Sequence, residues 1–257
     1  FLVFFCASGQ KISERKIKKW INQISVFDKS HVGIRVEGIS KTYADYNGSK
    51  YMTPASNTKL FTFLAAVQTF DSVPTLEYKI ENDSVVSFRS TGYPLLLHPF
   101  YSDSTLLNFL SKKKTWKYSK PKNKVKPYGP GWAWDDYNFY YAAEKSAFPI
   151  YGNTLKYIIN DNHVPKFLLE LDSSVNNLQR SKTDNKFYYN PETLKGTDTI
   201  YRPFITSDSL FVKLLSAATD NNVIYTNKND SLEWSVLYTN NENKLYKALL
   251  HDSDNGI

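Results

Sequence analysis

An apolar segment, residues 60–70 (LFTFLAAVQTF), constrains the fold of this 257-residue chain more than any other feature. It contains few β-branched residues, which favours a helix over a strand. The helix is predicted to begin near Ser56 and to end before Asp71. Because nearly the whole segment is apolar, we expect this helix to be buried in a core.

The composition indicates a globular protein. Apolar residues make up 41% of the chain and charged residues 22%, which excludes a disordered chain, a collagen and a coiled coil. No stretch approaches eighteen consecutive apolar residues, so we expect no transmembrane helix. One cysteine and four scattered histidines favour neither an internal disulfide nor a metal cluster, and we expect no metal and no cofactor.

The positive charge is concentrated in residues 112–126. The formal net charge of the chain is +7, and this segment carries eight lysines and no acid. Its prolines add to the expectation of an extended, solvated loop rather than a helix. Nucleic-acid binding needs basic residues spread along a groove or a recognition helix, so we expect no nucleic-acid partner. Peripheral contact of this loop with an anionic cell-envelope surface is the second interpretation.

Residues 1–9 (FLVFFCASG) are typical of the end of an export signal, an apolar run that closes in small residues. Cleavage after Gly9 would remove Cys6. A short buried strand is the alternative, and a lipid anchor at Cys6 is disfavoured by the bulky Phe5 before it. We expect an exported chain whose two ends are both truncated.

Periodicity predicts an α+β layout. An amphipathic helix is predicted from Lys11 to about Phe27, with further helices at 104–110, 208–218 and 243–250. Alternation predicts strands at 31–39, 41–46, 85–88, 167–171 and 234–238, with a turn at Asn47-Gly48. The pattern is typical of a helix-and-sheet domain that is interrupted by a mostly β insertion.

Ser56 and Lys59 are the candidate reactive residues. The chain contains no G-x-S-x-G, H-E-x-x-H, P-loop or G-x-G-x-x-G motif, which removes the commonest hydrolase, metalloprotease and nucleotide-binding hypotheses. Residues three apart share one helix face, so the Lys59 amine can reach the Ser56 hydroxyl. In a dry environment the pKa of a lysine falls and its neutral amine can act as a base. The alternative is a helix cap with an exposed lysine.

A second motif, Ser253-Asp254-Asn255, follows the predicted helix at 243–250. An S-x-x-K helix with a downstream Ser-Asp-Asn is the combination found in penicillin-binding proteins and β-lactamases. The chain resembles the D-alanyl-D-alanine carboxypeptidase/endopeptidases of the class C low-molecular-mass penicillin-binding proteins. Residues 54–60 (PASNTKL), 131–137 (GWAWDDY) and 249–255 (LLHDSDN) are similar to the family's nucleophile segment, its tryptophan–aspartate signature and its second catalytic motif.

The resemblance covers nearly the whole chain from the first helix onward, and it implies a fold and a domain order. We expect a penicillin-binding/β-lactamase-like transpeptidase domain, an antiparallel sheet flanked by helices and incomplete here, with a mostly β inserted domain. The expected order is a signal remnant (1–9), a first catalytic segment (10–75), the insertion (76–228) and a second catalytic segment (229–257).

The resemblance also implies the role of each site residue. Ser56 is expected to be the acylated nucleophile and Lys59 its general base. Ser253 is expected to relay a proton to the leaving group, and Asn255 to bind the substrate amide and Lys59. The implied partners are peptidoglycan stem peptides and, as covalent inhibitors, β-lactam antibiotics, all in the periplasm.

Asp135 and Trp132 are expected to bind the free amino end of the stem-peptide side chain. Their alternative interpretation is structural, a turn aspartate and a core tryptophan.

Two features depart from the family pattern. The third motif, Lys-Thr-Gly, is missing, and Lys41-Thr42-Tyr43 precedes the nucleophile and lacks the glycine. Gly92-Tyr93-Pro94 stands where Gly-Asp-Pro is expected. Two other functions therefore stay open: a β-lactamase-like serine esterase, and a non-catalytic cell-envelope-binding protein.

Overall fold

The structure, a computed structural model, describes residues 12–101, 103–119, 124–158, 169–194, 199–227 and 233–257. Contacts divide the chain into two compact units, with the division between Ala55 and Ser56. The predicted export signal, residues 1–9, lies outside the described residues. Within the described residues, no helix has the length and apolar character needed to cross a bilayer.

The first unit contains one helix and one antiparallel strand pair. Its elements are α1 (Glu14–Ile21), β1 (Ile34–Glu37) and β2 (Thr42–Tyr46). Ile17 and Ile21 of α1 are buried against Ala44 of β2, as the helical spacing of these isoleucines requires. The predicted helix was longer: α1 ends at Ile21, and the Asn22 N–H donates to the Lys18 carbonyl at 3.1 Å.

The strand pair of the first unit is followed by the predicted turn. Asn47 has a left-handed backbone, with φ of 55°, and its carbonyl accepts a hydrogen bond from the Lys50 N–H at 3.1 Å. Asparagine tolerates this conformation better than most residues, which explains the turn signal in the sequence.

The second unit is built on a mixed five-stranded sheet. Its strands are β3 (Val73–Asn82), β4 (Val85–Ser90), β5 (Thr115–Ser119), β11 (Asn222–Thr226) and β12 (Ser235–Thr239). They lie in the order β11-β5-β4-β3-β12. The pairs β12/β3 and β3/β4 are antiparallel, whereas β4/β5 and β5/β11 are parallel. Between β4 and β5 the chain crosses over through a helix, α3 (Ser104–Leu110), as a parallel pair requires.

Two smaller sheets complete the described strands. β6 (Thr154–Ile158) pairs antiparallel with β10 (Thr199–Pro203), and β9 (Phe187–Tyr189) lies between β7 (Leu169–Leu171) and β8 (Gln179–Arg180). The α+β class predicted from the sequence is confirmed. The domain boundaries at 75 and 228 stay a prediction.

One hydrophobic core joins the sheet to three helices. α3, α4 (Asp208–Thr219) and α5 (Glu242–Leu250) contribute Leu106, Leu110, Phe211, Leu215 and Leu245, and the sheet contributes Leu76, Phe88, Trp116, Tyr118 and Val223. Each fully buried side chain of this size stabilises the fold by roughly 1.5–3 kcal/mol. The predicted helices at 104–110, 208–218 and 243–250 are present and buried on their apolar faces.

Asp103 is a buried polar centre beside this core. Its carboxylate accepts hydrogen bonds from the Thr105 N–H at 3.0 Å, the Thr239 hydroxyl at 2.9 Å and the Asn241 amide at 2.9 Å. The hydroxyl of Tyr93, the residue that departs from the family's Gly-Asp-Pro, also donates to it. Burial opposes the charged form, but these hydrogen bonds outweigh it and hold the pKa of Asp103 below its usual range.

The prediction of a solvated loop at 112–126 is wrong for its middle part. Residues 115–119 form β5, which lies between β4 and β11, and Trp116 and Tyr118 are 1% exposed. The alternation of aromatic with polar residues decides the structure, because both rings fill the core while Lys117 points to the other face and pairs with Glu81. Lysines 120 and 122 lie outside the described residues.

The prediction that the apolar helix at 60–70 is buried is also wrong. The helix is present as α2 (Thr58–Thr69), but none of its residues is buried, and Phe61 is 74% exposed. Composition indicates that a helix is apolar, but burial also requires a neighbouring surface that covers it. Within the second unit, α2 packs beside α5 only along one edge, where the Phe63 and Tyr246 rings meet at 5.0 Å.

Candidate active site

The packing of α2 against α5 brings two distant parts of the chain together. Ser56 lies in a short 3-10 turn, Ala55–Asn57, that leads into α2, and Lys59 lies in the first turn of that helix. Ser253 and Asn255 follow the end of α5 at Leu250. All four residues belong to the second unit.

The four side chains form one connected cluster. The Ser253 hydroxyl donates to the Ser56 Oγ at 2.7 Å. The Lys59 Nζ lies 3.4 Å from the Ser56 Oγ, 3.3 Å from the Ser253 Oγ and 2.7 Å from the Asn255 Oδ1. The amine therefore faces three oxygens, and the two hydroxyls touch each other. A proton can pass between any two of Ser56, Ser253 and Lys59 without an intervening group.

The exposure of the cluster differs from the expectation. The sequence predicted a dry environment for Lys59, but Ser56 is exposed and Lys59 is only half-buried. The reason is the exposed position of α2, because no buried turn of that helix shields the amine from water. Lys59 contacts Ser56 and Asn255, as the sequence predicted. Its side chain is less buried than the sequence predicted.

Two residues at the site have a left-handed backbone. Ala55, directly before Ser56, has φ of 45°, and Ser253 itself has φ of 55°. For residues other than glycine this conformation costs of order 1–3 kcal/mol, and the surrounding contacts must offset it. Both strained residues flank the contact between the two hydroxyls.

The 251–256 corner, the segment after α5 that carries Ser253, is held by hydrogen bonds of its own. The His251 N–H donates to the Lys247 carbonyl at 2.8 Å, and the Asp254 N–H donates to the Ala248 carbonyl at 3.0 Å. The Asp254 Oδ1 accepts from the Gly256 N–H at 2.7 Å. These contacts fold the corner back over the end of α5.

Tyr141 connects the cluster to the segment that carries the tryptophan–aspartate signature. Its carbonyl accepts a hydrogen bond from the Asn255 Nδ2 at 3.3 Å, and its hydroxyl donates to the Asp136 Oδ1 at 3.1 Å. Desolvation, followed by the hydrogen bond to Asp136, raises the pKa of Tyr141. Sequence reasoning missed Tyr141, and the only available signal was its position five residues after Asp136.

Trp132 and Asp135 are not joined to the four-residue cluster by a hydrogen bond among the described residues. The Trp132 ring is half-buried and meets the Tyr128 ring edge-on at 6.0 Å. Asp135 is exposed and lies near enough to Tyr141 to raise the pKa of its hydroxyl. The position of Asp135 is compatible with contact to a bound cation, and that of Trp132 with a structural role.

A cavity of about 200 Å³ adjoins the 251–256 corner. It is lined by aromatic and polar side chains, among them His98, Phe100, Tyr140, Tyr141 and Asp254. The cavity therefore lies between the corner and the segment that follows the tryptophan–aspartate signature.

The comparison with protein families matches the amino-terminal portion of the chain. Residues 13–108 match the model of the D-Ala-D-Ala carboxypeptidase 3 (S13) family. This range contains Ser56 and Lys59, and it does not contain residues 253–255. No curated protein is significantly similar in sequence to the chain.

The comparison with solved structures extends over most of the chain. The crystal structure of penicillin binding protein 4 (dacB) from Haemophilus influenzae aligns with a TM-score of 0.58 and 18% identity, over 84% of this chain and 57% of that one. The chain is similar to the class C low-molecular-mass penicillin-binding proteins. At this identity the structural match shows the shared fold alone, and this chain spans little more than half the length of that relative.

A second structure of the Haemophilus protein is described as complexed with a novel β-lactam. It aligns with a TM-score of 0.46 and 18% identity, over 83% of this chain and 55% of that one. A TM-score this low supports no argument about this chain.

Proposed function

We propose that the protein is a serine-type D-Ala-D-Ala carboxypeptidase/endopeptidase that cleaves peptidoglycan stem peptides through an acyl-enzyme and is acylated by penicillins. The observation that carries this proposal is the mutual contact of Ser56, Lys59, Ser253 and Asn255. The match of residues 13–108 to a D-Ala-D-Ala carboxypeptidase family supports the substrate class.

In the proposed reaction the Ser56 Oγ attacks the carbonyl carbon of the scissile D-Ala peptide bond. In its neutral form the Lys59 amine accepts the hydroxyl proton as the oxygen–carbon bond forms. Ser253 passes a proton to the nitrogen of the leaving D-Ala, and the carbon–nitrogen bond breaks to leave an ester on Ser56. Water then hydrolyses this ester and restores the Ser56 hydroxyl.

The 2.7 Å contact between the Ser253 and Ser56 hydroxyls supports the relay role of Ser253, because a proton needs only one hop along it. Asn255 supports the reaction from two sides. Its Oδ1 holds the Lys59 Nζ at 2.7 Å. Its amide nitrogen, now bound to the Tyr141 carbonyl, is available to a substrate carbonyl that displaces this contact.

The substrate-binding roles of Asp135 and Trp132 belong to the same proposal. Asp135 supplies a negative charge near Tyr141 that suits the free amino end of a stem-peptide side chain. Export to the periplasm and the division into two catalytic segments around an insertion also belong to it.

Contact of the lysine-rich segment with an anionic envelope surface is the weakest element of the proposal. Lys113 pairs with Asp220 and Lys117 with Glu81, so these lysines are already partly neutralised.

A fluorescent penicillin tests the proposal on the complete gene product. We expect covalent labelling of the native protein and none of the Ser56→Ala variant. Ser111→Ala is the matched control, because Ser111 and Lys114 have the same spacing at an exposed helix end, away from Ser253. Labelling of the Ser56→Ala variant, or no labelling of the native protein, would overturn the proposal.

Two further measurements separate the alternative functions. A β-lactamase-like serine esterase hydrolyses a simple aryl ester and releases no D-Ala from a stem peptide. A non-catalytic envelope-binding protein is retained by isolated cell wall equally well after changes at Ser56 and Lys59, and it forms no penicillin adduct. D-Ala release that depends on Ser56 excludes both.

A further inference from the structure

Ser253 is held in an unfavourable backbone conformation between two acids. Its φ of 55° is left-handed, and its neighbours in the chain are Asp252 and Asp254. A serine stays in this conformation only where surrounding contacts over-determine it. The hydrogen bonds from the 251–256 corner to α5 fix the Ser253 backbone. The Asp252 and Asp254 carboxylates are two further groups through which contacts can hold Ser253 in place.

A short segment of the insertion, residues 98–101, faces both carboxylates. The Tyr101 hydroxyl donates to the Asp252 Oδ2 at 3.1 Å. The His98 Nε2 lies 3.8 Å from the Asp254 Oδ2, with 5% of the His98 side chain exposed. The His98 and Tyr101 rings stack at 4.8 Å between centroids, so the two side chains support each other.

The hydrogen bonds of His98 assign its tautomer. The Nδ1 atom accepts from the Phe100 N–H at 3.4 Å, so in the neutral ring the proton lies on Nε2, the nitrogen that lies 3.8 Å from the Asp254 Oδ2. Burial lowers the pKa of His98, and Asp254 opposes this only in part, which agrees with a neutral ring. Gly152 leaves room for the His98 ring, because a Cβ at position 152 would lie 3.0 Å from the His98 Nε2.

We propose that His98 and Tyr101 are positioning residues that hold Ser253 against Ser56 by fixing Asp254 and Asp252. The inference rests on the proposed function and adds two residues to it that neither motif contains. The other charged groups that line the cavity around His98 are Glu144 and Lys145. Glu144 is buried and accepts from the Thr206 N–H, Lys145 is exposed, and Asp254 is the carboxylate that lies beside the neutral ring, 3.8 Å from its Nε2.

The test measures acylation of the complete gene product by a fluorescent penicillin as a function of its concentration. We expect Tyr101→Phe to lower the acylation rate constant about fivefold and His98→Leu about tenfold. The half-saturating concentration should stay within about twofold, because neither residue is placed against the substrate. His98→Gln should restore the rate, since its amide can accept from Phe100 and donate toward Asp254.

Tyr225→Phe is the matched control. The Tyr225 hydroxyl is also hydrogen-bonded to an aspartate, Asp208, but lies on edge strand β11. This variant should acylate at the native rate. A slower rate in this control, equal to that of Tyr101→Phe, would overturn the proposal in favour of general destabilisation.

Hydrogen exchange of the Asp254 and Gly256 amides provides a readout that does not depend on activity. The Asp254 amide donates to the Ala248 carbonyl of α5 and the Gly256 amide to the Asp254 Oδ1, and we expect Tyr101→Phe and His98→Leu to speed their exchange at least about fivefold. Unchanged exchange, or faster exchange with an unchanged acylation rate, would overturn the positioning role. Absence of labelling in the native protein would instead overturn the proposed function, and exchange alone would then judge whether the segment holds the corner.

Discussion

The sheet layer and helix α2 differ sharply in burial although both are apolar. Trp116, Phe88 and Leu76 of the five-stranded sheet are at most 1% exposed, whereas α2 has no buried residue. The candidate reactive groups lie on the exposed helix and on the corner after α5. The residues that stabilise the fold are therefore not the residues proposed for the chemistry. Changes in the sheet should lower the free energy of unfolding, and changes at the candidate site should lower the activity.

The largest expected effect is in the sheet layer. Trp116→Ala should lower the free energy of unfolding by about 3–5 kcal/mol, because it removes a large buried ring and leaves a cavity. Trp134→Ala, at a ring that is 63% exposed, should change it by less than about 0.5 kcal/mol. Urea denaturation measures the free energy of unfolding of both variants. Equal losses would show that burial does not distinguish the two rings.

The next effect concerns Asp103, which is 6% exposed. Asp103→Ala should cost about 3 kcal/mol at pH 7, because it leaves Thr239, Asn241 and Tyr93 without their acceptor. The folded pKa of Asp103 lies below the ordinary value of 3.8, so its contribution is complete above pH 3.8 and is lost as the pH falls through the folded pKa. Denaturation between pH 2 and 7 should show the native and variant curves converging only at the acid end.

A smaller effect is expected on α2 itself. Phe63→Ala should cost about 1–2 kcal/mol, since the ring packs edge-on against Tyr246 of α5. Phe61→Ala should cost less than about 0.5 kcal/mol because that ring is 74% exposed. If Phe61 proves as costly as Phe63, then α2 is covered in solution and the contrast with the sheet layer fails.

The smallest effect concerns the backbone before Ser56. Ala55→Gly should raise the free energy of unfolding by up to about 1 kcal/mol, because glycine adopts φ of 45° without strain. Ala65→Gly, inside α2, should lower it by about 1 kcal/mol. A thermal melt measures both signs, and destabilisation by both variants would show that Ala55 is not strained.

Local sequence signals predicted the helices of this chain well and their surroundings poorly. The helix at Ser104–Leu110 was predicted residue for residue, because its periodicity is a local signal. Strand β5 was missed because its lysines hid the alternation of Trp116 and Tyr118. The exposure of α2 was missed because burial depends on what lies next to a helix, which no window of sequence contains.

The candidate site shows the same division. The pair Ser56 and Lys59 was predicted from spacing within one turn, and Ser253 and Asn255 from a motif that a known family shares. Tyr101, His98 and Tyr141 were not predicted, because each reaches the corner from a distant region of the chain through a contact that only tertiary structure creates.

The two serines that touch are 197 positions apart in the chain. During synthesis the ribosome therefore makes the first long before the second, which follows strand β12 and helix α5 along the chain. On the proposed chemistry, a half-made chain cannot react with penicillin. Antibiotic labelling of nascent chains would accordingly time the folding step that brings these two serines together.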